Sequence, residues 1–146
     1  MFGDFLRRLT EPDPAPLPDA DARLALSALL VRVARSDNDY AEAEARQIER
    51  IIAQRYALST EDARALRSEA EALEAEAPDT VRFTRAIKDA VPYEERLGVI
   101  EALWAVVLAD GSRSDEEDAL LRLVASLLGV TDTDSAMARQ RVDSRA

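Results

Sequence analysis

Val107-Leu108-Ala109-Asp110-Gly111-Ser112-Arg113-Ser114-Asp115-Glu116-Glu117 and Ala34-Arg35-Ser36-Asp37-Asn38-Asp39-Tyr40-Ala41-Glu42-Ala43-Glu44 are one passage written twice. Each leaves an apolar helical run, turns at an aspartate and enters an acidic helix start. Asp37 falls on Asp110, Asn38 on Gly111, Glu42 on Asp115 and Glu44 on Glu117, a constant offset of 73 residues. A helix-turn-helix passage repeated at that interval predicts two similar units packed into one bundle.

Outward from the two turns, the apolar spacing is helical throughout. Leu26, Leu29, Leu30, Val33 and Ala34 form a stripe that Leu24, Ala28 and Val31 widen, so this helix, opened by Asp19 or Asp21, is expected to be buried on more than one side. Ile48, Ile51, Ile52 and Tyr56 continue the first unit, with Asp39 and Glu42 at capping-box spacing. Ser59 caps a third helix with the thin seam Ala63, Leu66, Ala70 and Leu73. Its surrounding glutamates read as a solvated face. Ala77-Pro78-Asp79 then opens a helix with Phe83, Ile87 and Ala90 inward.

Val91-Pro92-Tyr93-Glu94-Glu95 starts the most apolar helix, with Pro92 expected at its first position and two acids where the helix dipole favours them. Leu97, Ile100, Leu103, Trp104, Val107 and Leu108 make it the expected centre of the molecule, with Trp104 in the core. Ser114 and Glu117 form a capping box for the next helix, with Leu120, Leu121, Val124, Leu127 and Leu128 inward and Gly129 as a left-handed terminator. Thr131 to Asp134 opens a short last helix holding Ala136, Met137 and Val142, with fraying expected from Asp143. No stretch alternates at period two. The expected fold is all-α, a single-domain bundle of about seven helices with two pseudo-repeated helix-turn-helix units, Asp21 to Tyr56 and Pro92 to Leu128.

Composition narrows the chemistry. The 146 residues suit one domain with a real core. A net charge of −10 argues against nucleic acid, because the summed field repels a polyanion. The chain has no cysteine and no histidine, which removes thiolate nucleophiles, disulfides, Cys/His zinc sites and His-based triads. Any metal must be held by oxygen. Apolar runs fall short of the roughly 20 residues of a membrane span, and no signal-peptide pattern is present, so a cytoplasmic protein is expected.

Residues 1–10 read as an arm: Phe2, Phe5, Leu6 and Leu9 share one helical face, with Arg7 and Arg8 elsewhere. It either docks on its own domain or frays, or else it reaches a protein partner or membrane surface, which would make the protein membrane-peripheral. Residues 11–18, with four prolines, are an extended linker. The helical domain is expected over 19–143.

The double pattern of a long apolar helix ending in Ala-x-x-Asp or Ala-Asp-Gly, an acidic helix start, Ile/Leu-x-x-Ile/Val and a short Leu-Ser or Val-Thr turn resembles the TerB-like family. These are the tellurite-resistance TerB proteins and their small bacterial relatives. Val81-Arg82-Phe83-Thr84-Arg85-Ala86-Ile87 and the run from Glu94 to Trp104 resemble its small stand-alone members, and the likeness covers about Asp19 to Val142. It implies an all-helical fold in which the two acidic turns approach each other and bind a divalent cation through Asp37, Glu44, Asp110 and Glu117. Asn38 departs from the family's usual glycine, and Ala41 stands where an acid is common.

The residues themselves leave two accounts open. An aspartate beyond a helix C-terminus faces its negative end, and the free N–H groups of the next helix can offset that without any metal. Four converging carboxylates would instead need a cation or an arginine, with Arg35 and Arg113 nearby. Calcium suits such a cluster; magnesium and manganese are the other candidates. An EF-hand is excluded, because the twelfth position from Asp37 or Asp110 is Ile48 or Leu121. No cofactor is required by this reading. The expected function is a non-enzymatic TerB-like module in a stress or tellurite-type response or signalling. The alternative is an interaction or membrane-peripheral scaffold whose acidic turns are structural. A metal-dependent hydrolase is a third reading, resting only on the acids because phosphate loops and hydrolase motifs are absent.

Overall fold

The computed structural model describes residues 19–35, 40, 42–77, 79–108 and 115–145, and the side chains of these except 19–22, 82, 86, 89, 90, 116 and 145. Among the described residues there are seven helices and no strand: α1 (Asp19–Ala34), α2 (Glu42–Tyr56), α3 (Thr60–Glu76), α4 (Thr80–Ala90), α5 (Tyr93–Val107), α6 (Asp115–Leu127) and α7 (Asp132–Arg145). The expected all-α bundle is what the chain forms.

The centre is α1 rather than α5. Every residue from Leu24 to Val31 is buried, so α1 is enclosed on all sides, whereas Leu97, Gly98, Glu101, Ala102 and Ala105 leave one side of α5 half-open. Apolar content alone favoured α5, but position among neighbours decides burial: α1 meets α2, α3, α4, α5 and α6. Phe83, Ile87, Ile48, Ile52, Leu73, Leu121 and Leu128 close the core around it.

The repeat is larger than the two helix-turn-helix units. The most extensive packing is α3 against α1 and α7 against α5, while α2 meets α5 as α6 meets α1. The unit is therefore three helices, α1-α2-α3 and α5-α6-α7, with α4 between them. Buried residues superimpose at the 73-residue offset: Leu26 with Val99, Leu30 with Leu103, Val33 with Val106, Ile48 with Leu121. Beyond α2 and α6 the offset drops to 72. Ser59 accepts from the Asp62 N–H and Thr131 from the Asp134 N–H, each at 3.1 Å, capping α3 and α7. Ahead of each cap a left-handed residue ends the preceding helix, Ala57 at φ 54° and Gly129 at φ 76°. There the N–H groups of Leu58 and Val130 donate five residues back, to Ala53 and Ala125, the bond of a Schellman terminator.

Several local expectations shift. Pro92 is the N-cap of α5 rather than its first residue, and its carbonyl accepts from the N–H groups of Glu95 and Arg96. The last helix runs on to Arg145, so Asp143 and Ser144 are helical. Met137 is exposed at 49% and Ala138 takes the buried place, because the face that packs on α5 runs through Ser135, Ala138 and Val142. Trp104 is in the core as expected, its indole N–H donating to Ser135 Oγ at 3.1 Å.

Candidate functional site

Both acidic turns are bounded by described residues, although the turns themselves, 36–39 and 109–114, lie outside them. The expectations for Asp37 and Asp110, for convergence of the two turns and for a Ser114 cap therefore fall on residues outside the description. The other two candidates are visible. Glu44 and Glu117 each occupy the third position of their helix, α2 and α6, and each is 6% exposed. These are the only buried carboxylates among the described residues.

A carboxylate taken out of water is costly unless hydrogen bonds or opposite charge compensate it. The first turn of a helix supplies part of that through free N–H groups and the positive dipole end. Both glutamates carry polar interactions in the structure. Glu42 was expected to complete a capping box with Asp39, which lies outside the described residues. Since α2 begins at Glu42, the third position passes to Glu44, and the exposed Glu42 accepts from Arg46 at 2.9 Å one turn along. Among the described residues, no three acidic side chains are grouped closely enough to hold a metal. Glu44 and Glu117 could thus contribute one ligand each, and the remaining donors would have to come from the turns.

Arg35 and Tyr40, the described residues flanking the first turn, make contacts that sequence reasoning missed. Arg35, considered above as a neutraliser of the turn, donates to Glu74 at 3.1 Å and lies 5.2 Å over the Tyr40 ring. Arg32 joins the same carboxylate at 3.3 Å and donates to the Glu74 carbonyl at 3.1 Å. On α3, Arg67 binds Glu49 at 2.7 Å and Glu71 at 2.9 Å. Burial, reinforced by the charge of Glu71 and opposed by Arg67, pushes the Tyr40 hydroxyl up to about 12. Tyr40 is therefore neutral wherever the protein is folded near neutral pH. The only sequence signal was an aromatic at the end of an acidic turn, and nothing local connects it to α3.

A second feature is a cleft of about 710 Å³ between α2 and α5, closed at one end by α7. Ile51, Gln54 and Arg55 line one wall, Ala102 and Ala105 the other, and Val142 the end. The Arg55 guanidinium lies so close over Gly98 that a Cβ there would sit 2.7 Å from it. No helix among the described residues is long and apolar enough to cross a membrane.

Neither the curated proteins nor the solved structures hold a significant match to the chain. One family model does match, that of the tellurite resistance protein TerB, over residues 23–140. That span runs from the first turn of α1 through most of α7 and takes in both acidic turns and both buried glutamates, so the chain belongs to the TerB family.

Proposed function

We propose that the protein is a non-enzymatic, cytoplasmic TerB-type module in which the two acidic turns hold one divalent cation, as part of a stress or tellurite-type response. Glu44 and Glu117 would each supply a buried carboxylate oxygen, and Asp37 and Asp110 the more accessible ones. The observation that carries the reading is the matched burial of Glu44 and Glu117 at equivalent positions of the two repeats. Acids at a helix start are ordinarily solvated, so burial of the same acid in both copies supports a use common to the two. Oxygen-only donors favour calcium, magnesium or manganese, with calcium suited to the larger donor number. Bound cation would add its affinity to the stability of the fold, by RT ln(1 + [L]/Kd).

The test is thermal melting with calcium, magnesium and manganese in turn. At a cation concentration one hundred times Kd the gain is about 2.7 kcal/mol. Asp37→Asn combined with Asp110→Asn should abolish that shift while the metal-free protein melts normally. If none of the three ions moves the melting temperature of the native chain, the cation reading is wrong, and the buried glutamates serve only to cap α2 and α6.

A further inference from the structure

The open cleft between α2 and α5 has a filled counterpart on the other side of the molecule. Because the repeat carries α2 onto α6 and α5 onto α1, the equivalent groove lies between α6 and α1. There α4 packs against both helices. Its Phe83 and Ile87 are fully buried, and Arg32 stacks 5.1 Å from the Phe83 ring. At the 73-residue offset Arg32 corresponds to Ala105, Val124 to Ile51 and Leu29 to Ala102. Val124 and Leu29 are buried, while Ile51, Ala102 and Ala105 line the open cleft half-exposed. What separates the two grooves is the helix leading into the following unit: α4 precedes α5 and covers one groove. The stretch that stands in the same relation to α1 is residues 1–18.

We propose that the segment Phe2 to Leu9 occupies the α2–α5 cleft in the same molecule, as α4 occupies the α1–α6 groove. Its apolar spacing suits the place, for Phe5 and Leu9 are four residues apart, as Phe83 and Ile87 are in α4. Chain entry lies at the correct end. Arg23, in the first turns of α1, stacks 4.9 Å over the ring of Tyr56, next to the cleft residue Arg55. The equivalent Arg96 of α5 donates to the Leu128 carbonyl at the end of α6, the end where α4 hands over to α5. The eight residues 11–18 span about 25 Å if extended as polyproline, and the cleft wall from Gln47 to Arg55 is about 12 Å of helix, so the segment reaches. Asp143 on the cleft suits Arg7 or Arg8. Apolar burial of Phe2, Phe5, Leu6 and Leu9 is the driving force.

The chain has no cysteine, so Gly3→Cys gives one labelling point in the otherwise native protein. A nitroxide there should erase the amide NMR signals of Gln54, Ala102 and Ala105, and reduction of the nitroxide should restore them. Ala102→Glu, which puts a charge in the cleft, should keep those signals visible. Mixing spin-labelled unenriched protein with unlabelled ¹⁵N protein should leave them intact; erasure in the mixture would mean that a second copy supplies the segment and would overturn the proposal. Undiminished signals in the labelled chain would overturn it as well. If that result came with sedimentation on phosphatidylglycerol vesicles that depends on residues 1–10, the segment would be a lipid-binding arm. Neither arm of the test involves the cation, so its outcome is independent of the acidic turns.

Discussion

Glu74→Ala removes the carboxylate that Arg32 and Arg35 share, at 3.3 and 3.1 Å, across the α1–α3 interface. The side chains of Arg32 and Glu74 are only 12% and 13% exposed, so the lost attraction belongs to a largely desolvated pair. Breaking a buried pair by deleting one partner costs about 3–5 kcal/mol, because the remaining charge stays out of water. Here the remaining charge keeps some company. Arg32 retains the Glu74 carbonyl at 3.1 Å and the Phe83 ring, and Arg35 is 39% exposed and can turn to solvent. The expected loss is therefore about 2–3 kcal/mol, at or below the lower limit of that range. For a chain of this length each kcal/mol moves the melting temperature by about 3–4 °C, giving a drop of about 6–12 °C.

Glu42→Ala provides the control, since it deletes the same chemistry from the Arg46–Glu42 pair, which is 64% and 80% exposed. An exposed i,i+4 pair contributes about 0.5 kcal/mol or less. Replacing both buried partners, Arg32→Met with Glu74→Leu, should restore most of the stability, because no charge is then stranded. Calorimetry and urea unfolding read all four proteins. Equal losses for Glu74→Ala and Glu42→Ala would refute the reasoning, because burial would then not be what gives the pair its weight.

Ala57 and Gly129 end equivalent helices with positive φ, so exchanging their identities should have opposite effects. Ala57→Gly should raise stability by about 0.5–1 kcal/mol and Gly129→Ala should lower it by about 1 kcal/mol, as read by urea unfolding; a common sign would exclude the terminator account. Tyr40 has a folded pKa of about 12 against an ordinary 10.0, so its neutral form is favoured by folding. That contribution is complete below pH 10 and lost as pH rises toward 12, amounting to about 1–2 kcal/mol after allowance for its partial exposure. Tyr56 is also shifted upward by burial and titrates in the same direction, so the measurement is the difference between the native chain and Tyr40→Phe across that window. No difference would show that Tyr40 is not held by its surroundings.

Much of the site region was legible locally and some of it was not. Glu44 and Glu117 stood out by their equal place after the two turns, but their burial did not, because a glutamate at a helix start is ordinarily solvated. The Asp39–Glu42 capping box falls on a residue outside the described ones, and what the structure adds is that Glu42, at the described start of α2, accepts from Arg46 one turn along. The pairing of Arg35 with Glu74 was not legible because the two are 39 residues apart, beyond any local pattern.

By itself the sequence determined that the chain is helical, where most helices start and stop, and that one passage occurs twice. Those features depend on caps, terminators and apolar spacing, which act within a few residues. Only the tertiary structure decided that α3 and α7 belong to the repeat, although their seams, Ala63-Leu66-Ala70 against Ser135-Ala138-Val142, share no residue. Packing requires a complementary surface rather than a particular identity. The tertiary structure also made α1 the enclosed helix, joined Arg32 and Arg35 to Glu74, and covered one of two equivalent grooves with α4 while leaving the other lined by half-exposed residues. Each of these depends on which distant surfaces meet, and period and capping carry no information about that.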